Sequence, residues 1–442
     1  MLRQYARRWD IEALRTTASH SMRMISTSMT EAPERAASTE GLTDTLSVAK
    51  YLKQTPFAPR EIRRIQLGST NFTYRLFLDK PYGPERVRTA ILKYAAPHTQ
   101  DEPPVEFSSD RQTYEARAMR MIPWKQLMSL QRDASVSESI KPFEKLRVPE
   151  LYLEDAKRRV VIMEDGTPRR GSDEVWQERS HSARIFFEEV PSSSQKYETA
   201  RLIGQLLGSF LARLHNWGDS PENAALVFDS FAGNTAAKDL TTQETFKDFW
   251  KNVERTGFVV PDHLKAELET KLHDLQEQVR NNLETVVMGD FWPGNILLSF
   301  TDKDELERLS IIDWEFIMLA PAFLDTGHFI GEVFLIHYFE SNDEVYIVLL
   351  ESFMRAYRSS LVRDIDTENI LAYAGAHIMV GLPRRINSLG SRATKENASP
   401  FVEQTLKFIT DPKFITQSGS RGPGDAFERV LDLMRDRMAN LA

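Results

Sequence analysis

Two short segments decide the fold of this chain: VVMGDFWPGN at residues 286–295 and IIDWE at residues 311–315. Polar residues in both segments stand next to short apolar runs, which are typical of strands that end at a site. We expect the apolar residues 286–288 and 296–298 to form paired strands that bring the two ends of the intervening loop together. The sequence therefore predicts a rigid loop that carries several acidic and amide side chains.

The side chains on these segments have the chemistry of phosphoryl transfer. Asp290 is the candidate catalytic residue, because its carboxylate can accept a hydrogen bond from an attacking hydroxyl group and orient it. Asn295 offers a carbonyl oxygen to Mg²⁺, and Asp313 and Glu315 offer carboxylate oxygens. Asp313 and Glu315 would share one face if the strand continued through them. A lone Asp in a turn is ordinary, so the combined spacing carries the prediction.

Candidates for phosphate binding lie upstream. Lys93 interrupts the apolar run AILKYAA, and a lysine within an apolar strand needs polar partners. Phosphate oxygens and the carboxylate of Glu115, in the helix that follows, would supply them. The alternative is an edge strand from which Lys93 reaches solvent, with Glu115 on the surface. Gly68, Ser69 and Asn71 form a turn in which backbone N–H groups could approach phosphates.

Hydrophobic periodicity divides the chain into two lobes. Strand and turn signals dominate residues 45–165 and predict a small mixed β-sheet lobe that binds nucleotide. Helical periodicity dominates residues 166–442, so the fold class is α+β with a mostly α-helical catalytic and substrate lobe. We expect residues 1–44 to be a disordered or targeting leader. Residues 166–197 are polar, and we expect them to form a loose insert.

Composition limits the partners and the compartment. The chain has 442 residues, no cysteine and a formal net charge of -8, so disulfides and thiolate metal sites are excluded and a nucleic-acid partner is not favoured. No run approaches the roughly 18–20 apolar residues that cross a bilayer, so no membrane partner is expected. We expect a cytoplasmic protein. Mitochondrial targeting through the arginine-containing residues 1–28 is the alternative, which Asp10 and Glu12 oppose. The sequence does not predict the oligomeric state.

These motifs resemble those of the aminoglycoside phosphotransferase and choline kinase superfamily, which has a protein-kinase-like fold. Within it they most resemble methylthioribose-kinase-like and fungal hydroxytryptamine-kinase-like enzymes. The matching segments are GSTNFTYR (68–75), ILKYAAPH (91–98), YEARA (114–118), VIMED (161–165), GSFLARLHNWG (208–218), VMGDFWPGNILL (287–298) and IDWEFIMLAPAFLDTGHFIG (312–331). The resemblance implies a two-lobed kinase that transfers the γ-phosphate of ATP, with Mg²⁺, to a hydroxyl group of a small metabolite. A sugar, an amino alcohol and an alkaloid all remain open as the acceptor.

The resemblance also implies roles for residues outside the two opening segments. It places Met163, Glu164 and Asp165 at the segment that binds adenine through backbone groups, and it makes Asp325 the buried anchor of the catalytic loop. It agrees with the roles given above to Lys93, Glu115, Asp290, Asn295 and Asp313, and it matches Glu315 to an Asp-x-Glu variant of the metal motif.

Candidates for acceptor binding are less specific. Arg384 and Arg385 resemble a twin-arginine element that reaches the substrate and the transferring phosphoryl group, which favours a sugar-like acceptor. The alternative is a basic helix start on the surface, with Pro383 in its first turn. Trp292 and Trp314 could line the acceptor pocket or belong to the core.

One position departs from the family pattern. Met288 stands two residues before Asp290, where the family usually has a histidine that packs and anchors the loop. The substitution leaves a second hypothesis open, namely a catalytically inactive kinase-like binding protein. Fold alone does not separate an enzyme from such a protein.

Overall fold

The computed structural model describes residues 41–66, 70–98, 100, 106–128, 145–167, 181–189, 193–301, 305–341, 344–386 and 391–410. They form the two-lobed α+β fold that the sequence predicts. In chain order, the elements up to residue 164 are α1 (Thr45–Leu52), β1 (Pro59–Ile65), β2 (Phe72–Tyr82), β3 (Val87–Tyr94), α2 (Arg111–Met121), α3 (Trp124–Met128), β4 (Leu146–Arg147), β5 (Leu151–Asp155) and β6 (Val160–Glu164).

A five-stranded antiparallel sheet in the order β1-β2-β3-β6-β5 forms the first lobe. Alternate residues of β2 are buried against α1, as the sequence pattern predicts: Phe72, Tyr74, Leu76 and Leu78. Lys93 lies opposite Thr73 of β2 and Val161 of β6, so its strand is in the middle of the sheet. The alternative of an edge strand for Lys93 is therefore wrong. Leu42, within the predicted leader, is also buried in this core.

The second lobe is mostly helical. Its elements are β7 (His181–Ser182), α4 (Ala183–Glu189), α5 (Ser194–Asp219), α6 (Ala224–Phe231), α7 (Thr235–Thr242), α8 (Phe249–Thr256), α9 (Asp262–Asn281), β8 (Thr285–Val287), β9 (Ile296–Phe300), β10 (Leu306–Ile311), β11 (Met318–Ala320), α10 (Phe323–Ile336), α11 (Val345–Ser360), α12 (Thr367–Ile386) and α13 (Lys395–Thr410). A search of the described helices finds none with the length and apolar character of a membrane span.

The long helix α5 is the centre of this lobe. The hydroxyl group of Ser193 caps it by accepting a hydrogen bond from Lys196 N at 3.2 Å. Its apolar face packs directly on α11, where a Cβ atom at Gly208 would lie 2.1 Å from the carbonyl oxygen of Phe353. Glycine is therefore needed at this position for the two helices to approach so closely.

The strands on either side of the loop at residues 289–295 do not pair as the sequence suggested. β8 pairs with β11, placing Val287 opposite Met318, and β9 pairs with β10, placing Ile296 opposite Ile311. The prediction that residues 286–288 pair with residues 296–298 is therefore wrong. Each end of the loop is fixed by a strand that comes later in the chain.

The segment expected to be a loose insert is partly built into the second lobe. Residues 168–180 and 190–192 lie outside the described residues, but residues 181–189 form β7 and α4. β7 extends the sheet by pairing with β9, and Phe186 of α4 packs on Phe300 with ring centroids 4.6 Å apart. Looseness is therefore the wrong expectation for this part, because two aromatic side chains anchor it.

Candidate active site

Lys93 brings the two lobes together through carboxylates. Its Nζ atom lies 2.6 Å from Glu115 Oε1 on α2 and also contacts Asp313 Oδ1 in the second lobe. Burial alone would lower the pKa of Lys93, but the charges of Asp313 and Glu115 raise it, so the ammonium group stays charged. The structure thus brings together three residues that lie up to 220 positions apart in the chain.

Asp313 and Glu315 reach the site through a turn. The strand ends two residues before Asp313, whose backbone is left-handed at φ 72° and ψ 62°, and residues 314–316 form a 3-10 turn. The predicted continuation of the strand is therefore wrong. The amide of Asn234 donates to the carbonyl oxygen of Glu315 at 3.1 Å and supports the turn. A left-handed non-glycine residue costs about 1–3 kcal/mol, a strain that is characteristic of functional sites.

Glu315 has a partner that the sequence analysis did not identify. Its Oε2 atom accepts hydrogen bonds from Asn71 Nδ2 at 2.6 Å and pairs with Arg111 Nε at 3.2 Å. Arg111 is 1% exposed and stands one helical turn before Glu115. It also donates to four carbonyl oxygens, those of Thr70 (2.6 Å), Ala96 (3.0 Å), Phe107 (3.0 Å) and Ser108 (2.8 Å). Gly68 and Ser69, the other candidates of this turn, lie outside the described residues.

The charges of this cluster do not balance. Oxygen atoms of Glu115, Asp313 and Glu315 lie within 4.8 Å of one another, and among the described residues Lys93 and Arg111 are the cations that contact them. Burial and the neighbouring carboxylates raise the pKa of Glu115, although Lys93 opposes this rise. When all three carboxyl groups are ionised, they carry one more negative charge than these two cations balance, so the donor set fits an additional cation with a preference for oxygen ligands.

Asp290 lies in the loop after β8 and is held by Asn295. The Asn295 amide nitrogen donates to Asp290 Oδ2 at 2.8 Å and to the Asp290 carbonyl oxygen at 3.0 Å. Both hydrogen bonds use the nitrogen, so the Asn295 carbonyl oxygen is the atom left for a cation. Asp290 keeps 32% of its side chain exposed. Burial in the cleft and the charge of Asp313 raise its pKa to about 7, against the effect of Asn295.

The loop is anchored from below by Asp325. The carboxylate accepts hydrogen bonds from Met288 N at 2.7 Å and Gly289 N at 2.8 Å, and it lies 3.3 Å from His215 Nε2. Gly289 has φ 83°, and a Cβ atom there would lie 2.5 Å from the carbonyl oxygen of Phe316. Met288 contributes its backbone N–H to this anchor while its side chain is buried, so the anchor does not need a histidine at position 288.

The side chains at the predicted adenine segment are engaged within the protein. Met163 is buried in the first lobe, and Glu164 Oε1 lies 3.3 Å from Arg308 Nη1. Asp165 Oδ2 pairs with Arg75 Nε at 2.8 Å. The backbone N–H of Glu164 also donates to the Glu150 carbonyl oxygen at 2.8 Å, and Met163 lies between β3 and β5 in the sheet.

Comparisons with known proteins place this chain among relatives that are named as kinases of small molecules. The model of the ecdysteroid kinase-like family matches residues 226–369. The 4-hydroxytryptamine kinase of Psilocybe cyanescens is 29% identical over 325 residues, which cover 73% of this chain and 81% of that protein. The methylthioribose kinase of Bacillus pumilus is 26% identical over 197 residues, or 42% and 44% of the two chains. The chain is therefore similar to small-molecule kinases over almost three quarters of its length.

The choline kinase of Cryptosporidium parvum superposes with a TM-score of 0.44 at 12% identity, over 85% of this chain and 97% of that one. The sequence relatives establish the enzyme class that the motifs predicted, a phosphotransferase with an alcohol group as acceptor.

The twin arginines of this phosphotransferase do not act as a pair. They lie in the last turn of α12 and not at a helix start, so that alternative is wrong. Arg384 is 67% exposed and contacts Glu244 Oε1 at 3.0 Å. Arg385 is buried and contacts Glu332 Oε2 and Glu340 Oε1, each at 2.9 Å. The two side chains therefore point to different surroundings, and Arg385 forms its ion pairs with carboxylates of the protein.

The two tryptophans also separate. Trp314 is buried, donates from Nε1 to the Ile311 carbonyl oxygen at 3.0 Å and packs on Trp124, which makes it a core residue. Trp292 is half-buried beside Asp290 in sequence, and its ring covers Gly294. Of the two, only Trp292 keeps a position compatible with an acceptor pocket.

A group of side chains that the sequence analysis did not select forms the wall next to Asp290. His328 and Glu332 lie one turn apart on α10, and His377 projects from α12. His328 Nε2 is 3.8 Å from Asp290 Oδ1, and the rings of His328 and His377 have centroids 3.7 Å apart. Burial and His377 hold the pKa of His328 well below its usual value, so this ring is neutral. The spacing of four between His328 and Glu332, just after Asp325, is the sequence signal that could have found them.

Proposed function

We propose that the enzyme transfers the γ-phosphoryl group of ATP, in the presence of Mg²⁺, to a hydroxyl group of a small metabolite. The observation that carries the proposal is the contact of Lys93 with both Glu115 and Asp313. It joins a phosphate-binding side chain of one lobe to a metal-binding carboxylate of the other, beside Asp290. The named activities of the relatives, on a hydroxytryptamine and on methylthioribose, support a hydroxyl-bearing acceptor of low molecular mass.

The nucleotide would lie between the lobes. The ammonium group of Lys93, oriented by Glu115, would bind phosphate oxygens of ATP, and the turn that contains Asn71 would cover them. Backbone groups near Met163 and Asp165 would bind the adenine base. Lys93 now contacts Asp313, so nucleotide binding would exchange part of this contact for phosphate oxygens.

The acidic residues of the second lobe would hold the metal ion. Asp313, Glu315 and Asn295 supply oxygen atoms, and the excess negative charge of the cluster supports a divalent cation there. When bound, Mg²⁺ neutralises charge on the phosphate oxygens. Glu315 already accepts hydrogen bonds from Asn71 and Arg111, so we expect Asp313 to be the principal ligand and Glu315 to contribute less.

Asp290 would act on the acceptor. Its partly exposed carboxylate would accept the hydrogen bond of the acceptor hydroxyl and direct the oxygen toward the γ-phosphorus. It would take the proton as the new P–O bond forms and the bond from the γ-phosphorus to the bridging oxygen of ADP breaks. Asn295 holds Oδ2, so Oδ1, which lies 3.8 Å from His328 Nε2, is the oxygen that would meet the acceptor. The anchor from Asp325 to the loop supports this geometry, because it holds the peptide of Gly289 immediately before Asp290.

The inactive binding protein is the competing hypothesis, and Met288 is its support. The test is ADP release from Mg·ATP by the wild type and by Asp290→Ala, over a panel of sugars, amino alcohols and hydroxylated aromatic amines. We expect release that depends on one class of acceptor and is lost in the variant. Binding of Mg·ATP with no acceptor-dependent release by the wild type would favour the binding protein.

A further inference from the structure

The acceptor side of the cleft contains a carboxylate that no step of the proposed mechanism uses. Glu332 lies one helical turn after His328, which is 3.8 Å from Asp290, and its Oε1 atom is 3.3 Å from His377 Nε2. The rings of His328 and His377, whose centroids are 3.7 Å apart, thus connect Asp290 to Glu332. An acceptor hydroxyl that reaches Asp290 must therefore approach this wall.

The guanidinium group of Arg385 neutralises that carboxylate from behind. Its Nη2 atom lies 2.9 Å from Glu332 Oε2, its Nε atom 2.9 Å from Glu340 Oε1, and its Nη1 atom donates to the Gly381 carbonyl oxygen at 3.3 Å. Only 10% of the Arg385 side chain is exposed. Arg184, on α4, contacts the other oxygen of Glu340 at 2.8 Å. The guanidinium group of Arg385 is thus held by three protein groups and is not directed toward a substrate.

A buried carboxylate in this position would otherwise be a binding site for a positive charge. Burial alone would raise the pKa of Glu332, but Arg385 and His377 hold it well below its usual value, so the carboxylate is ionised. Without Arg385, Glu332 would keep His377 as a partner at 3.3 Å, but its negative charge would no longer be balanced by the guanidinium group. Arg385 therefore supplies the positive charge that an acceptor ammonium group could otherwise supply.

Resting on the proposed function, we propose that Arg385 determines the acceptor class and selects hydroxyl compounds without a positive charge over ammonium-bearing alcohols. The selection works by repulsion, since a second cation next to Glu332 would meet the guanidinium charge in a site with little water. The same charge disfavours a metal ion among His328, Glu332 and His377, although their ligand atoms lie within 4.8 Å of one another.

The test compares acceptors that bear an ammonium group with uncharged analogues: choline with its isostere 3,3-dimethylbutan-1-ol, glucosamine with glucose, and tyramine with 4-ethylphenol. For full-length wild type, kcat/KM from ADP release and Kd for the complex with Mg²⁺ and AMP-PNP are measured for each pair. The wild type is expected to favour the uncharged member of each pair that it binds. In Arg385→Met the preference should shift toward the ammonium member by about tenfold or more, because Glu332 then lacks the guanidinium charge and keeps the His377 ring as its partner among the described residues.

Two more variants keep the test independent of how well Arg385→Met folds. Glu332→Gln leaves the guanidinium charge in excess and should shift the preference further toward the uncharged member. The double variant restores a neutral wall and should return to the wild-type ratio. Arg201→Met is the matched control. Arg201 forms an exposed pair with Glu198 in the first part of α5, so its replacement should leave the ratio unchanged.

The outcomes separate this proposal from the proposed function. Three results would overturn the role of Arg385. The wild type could prefer the ammonium members, or it could bind none of the six compounds. The preference ratios of Arg385→Met and Glu332→Gln could also fail to move in opposite directions. Absence of acceptor-dependent ADP release, with the predicted shifts still present in Kd, would instead overturn the kinase reaction and leave the charge selection standing.

Discussion

Replacement of Arg111 by methionine tests the buried network of hydrogen bonds and ion pairs that supports the site. Methionine keeps much of the volume of the side chain but leaves Glu315 with Asn71 as its remaining hydrogen-bond donor among the described residues. Four carbonyl oxygens also lose the guanidinium group as a hydrogen-bond donor. Breaking one buried ion pair costs about 3–5 kcal/mol, a large part of a typical stability of about 5–15 kcal/mol. We therefore expect Arg111→Met to lower the free energy of unfolding by at least about 3 kcal/mol.

The assay is urea unfolding, followed by circular dichroism, of Arg111→Met, Glu315→Gln and the double variant. If the ion pair causes the loss, the double variant should lose less free energy of unfolding than the sum of the losses in the two single variants. The difference should be about 1–3 kcal/mol. The exposed control Arg201→Met should change stability by less than about 0.5 kcal/mol. A loss in Arg111→Met no larger than in the control, or strict additivity with Glu315→Gln, would refute the reasoning.

Three further outcomes follow from the catalytic loop. Because Asp290 must be deprotonated to accept the hydroxyl proton and its pKa is raised to about 7, kcat/KM should fall as pH drops below about 7, and a pH profile flat down to pH 5 would contradict this. Gly289→Ala should lower the melting temperature and the rate together, since φ 83° and the nearby Phe316 carbonyl oxygen leave no room for Cβ; wild-type values for both would be the contrary result. Asp325→Asn, which weakens the anchor on Met288 N and Gly289 N, should reduce kcat by about tenfold or more with Mg·ATP affinity kept, as measured by turnover and calorimetry; equal loss of both would count against a local role.

Local patterns in the sequence were enough to predict the elements and several contacts of the site. Alternation along β2 and helical spacing along α5 follow from which face each element buries, and this is a property of neighbours in sequence. Lys93 stood out because an amine inside an apolar strand needs a partner, and the structure places Glu115 2.6 Å from it. The chemistry of one buried charge was therefore sufficient to indicate the other.

What the sequence did not predict depends on contacts between distant segments. Arg111 looks like an ordinary residue at the start of a helix, and only the packing of the turn near Thr70 against Glu315 makes it a buried centre of hydrogen bonds. Arg385 resembles a substrate-binding arginine until Glu332 and Glu340 are brought to it by α10 and the segment that follows. The left-handed backbone of Asp313 likewise depends on the surrounding structure, because an isolated chain would avoid it.

The account rests most directly on whether Lys93 and Asp313 serve the same nucleotide. Calorimetry should compare ATP affinity, with Mg²⁺ and with EDTA, for the wild type, Lys93→Met and Asp313→Asn. We expect Lys93→Met to weaken ATP binding under both conditions. Asp313→Asn should weaken binding by about tenfold or more only when Mg²⁺ is present, since it removes a ligand of the metal and frees Lys93 from a competing carboxylate. Wild-type affinity for Mg·ATP in both variants would contradict the central claim.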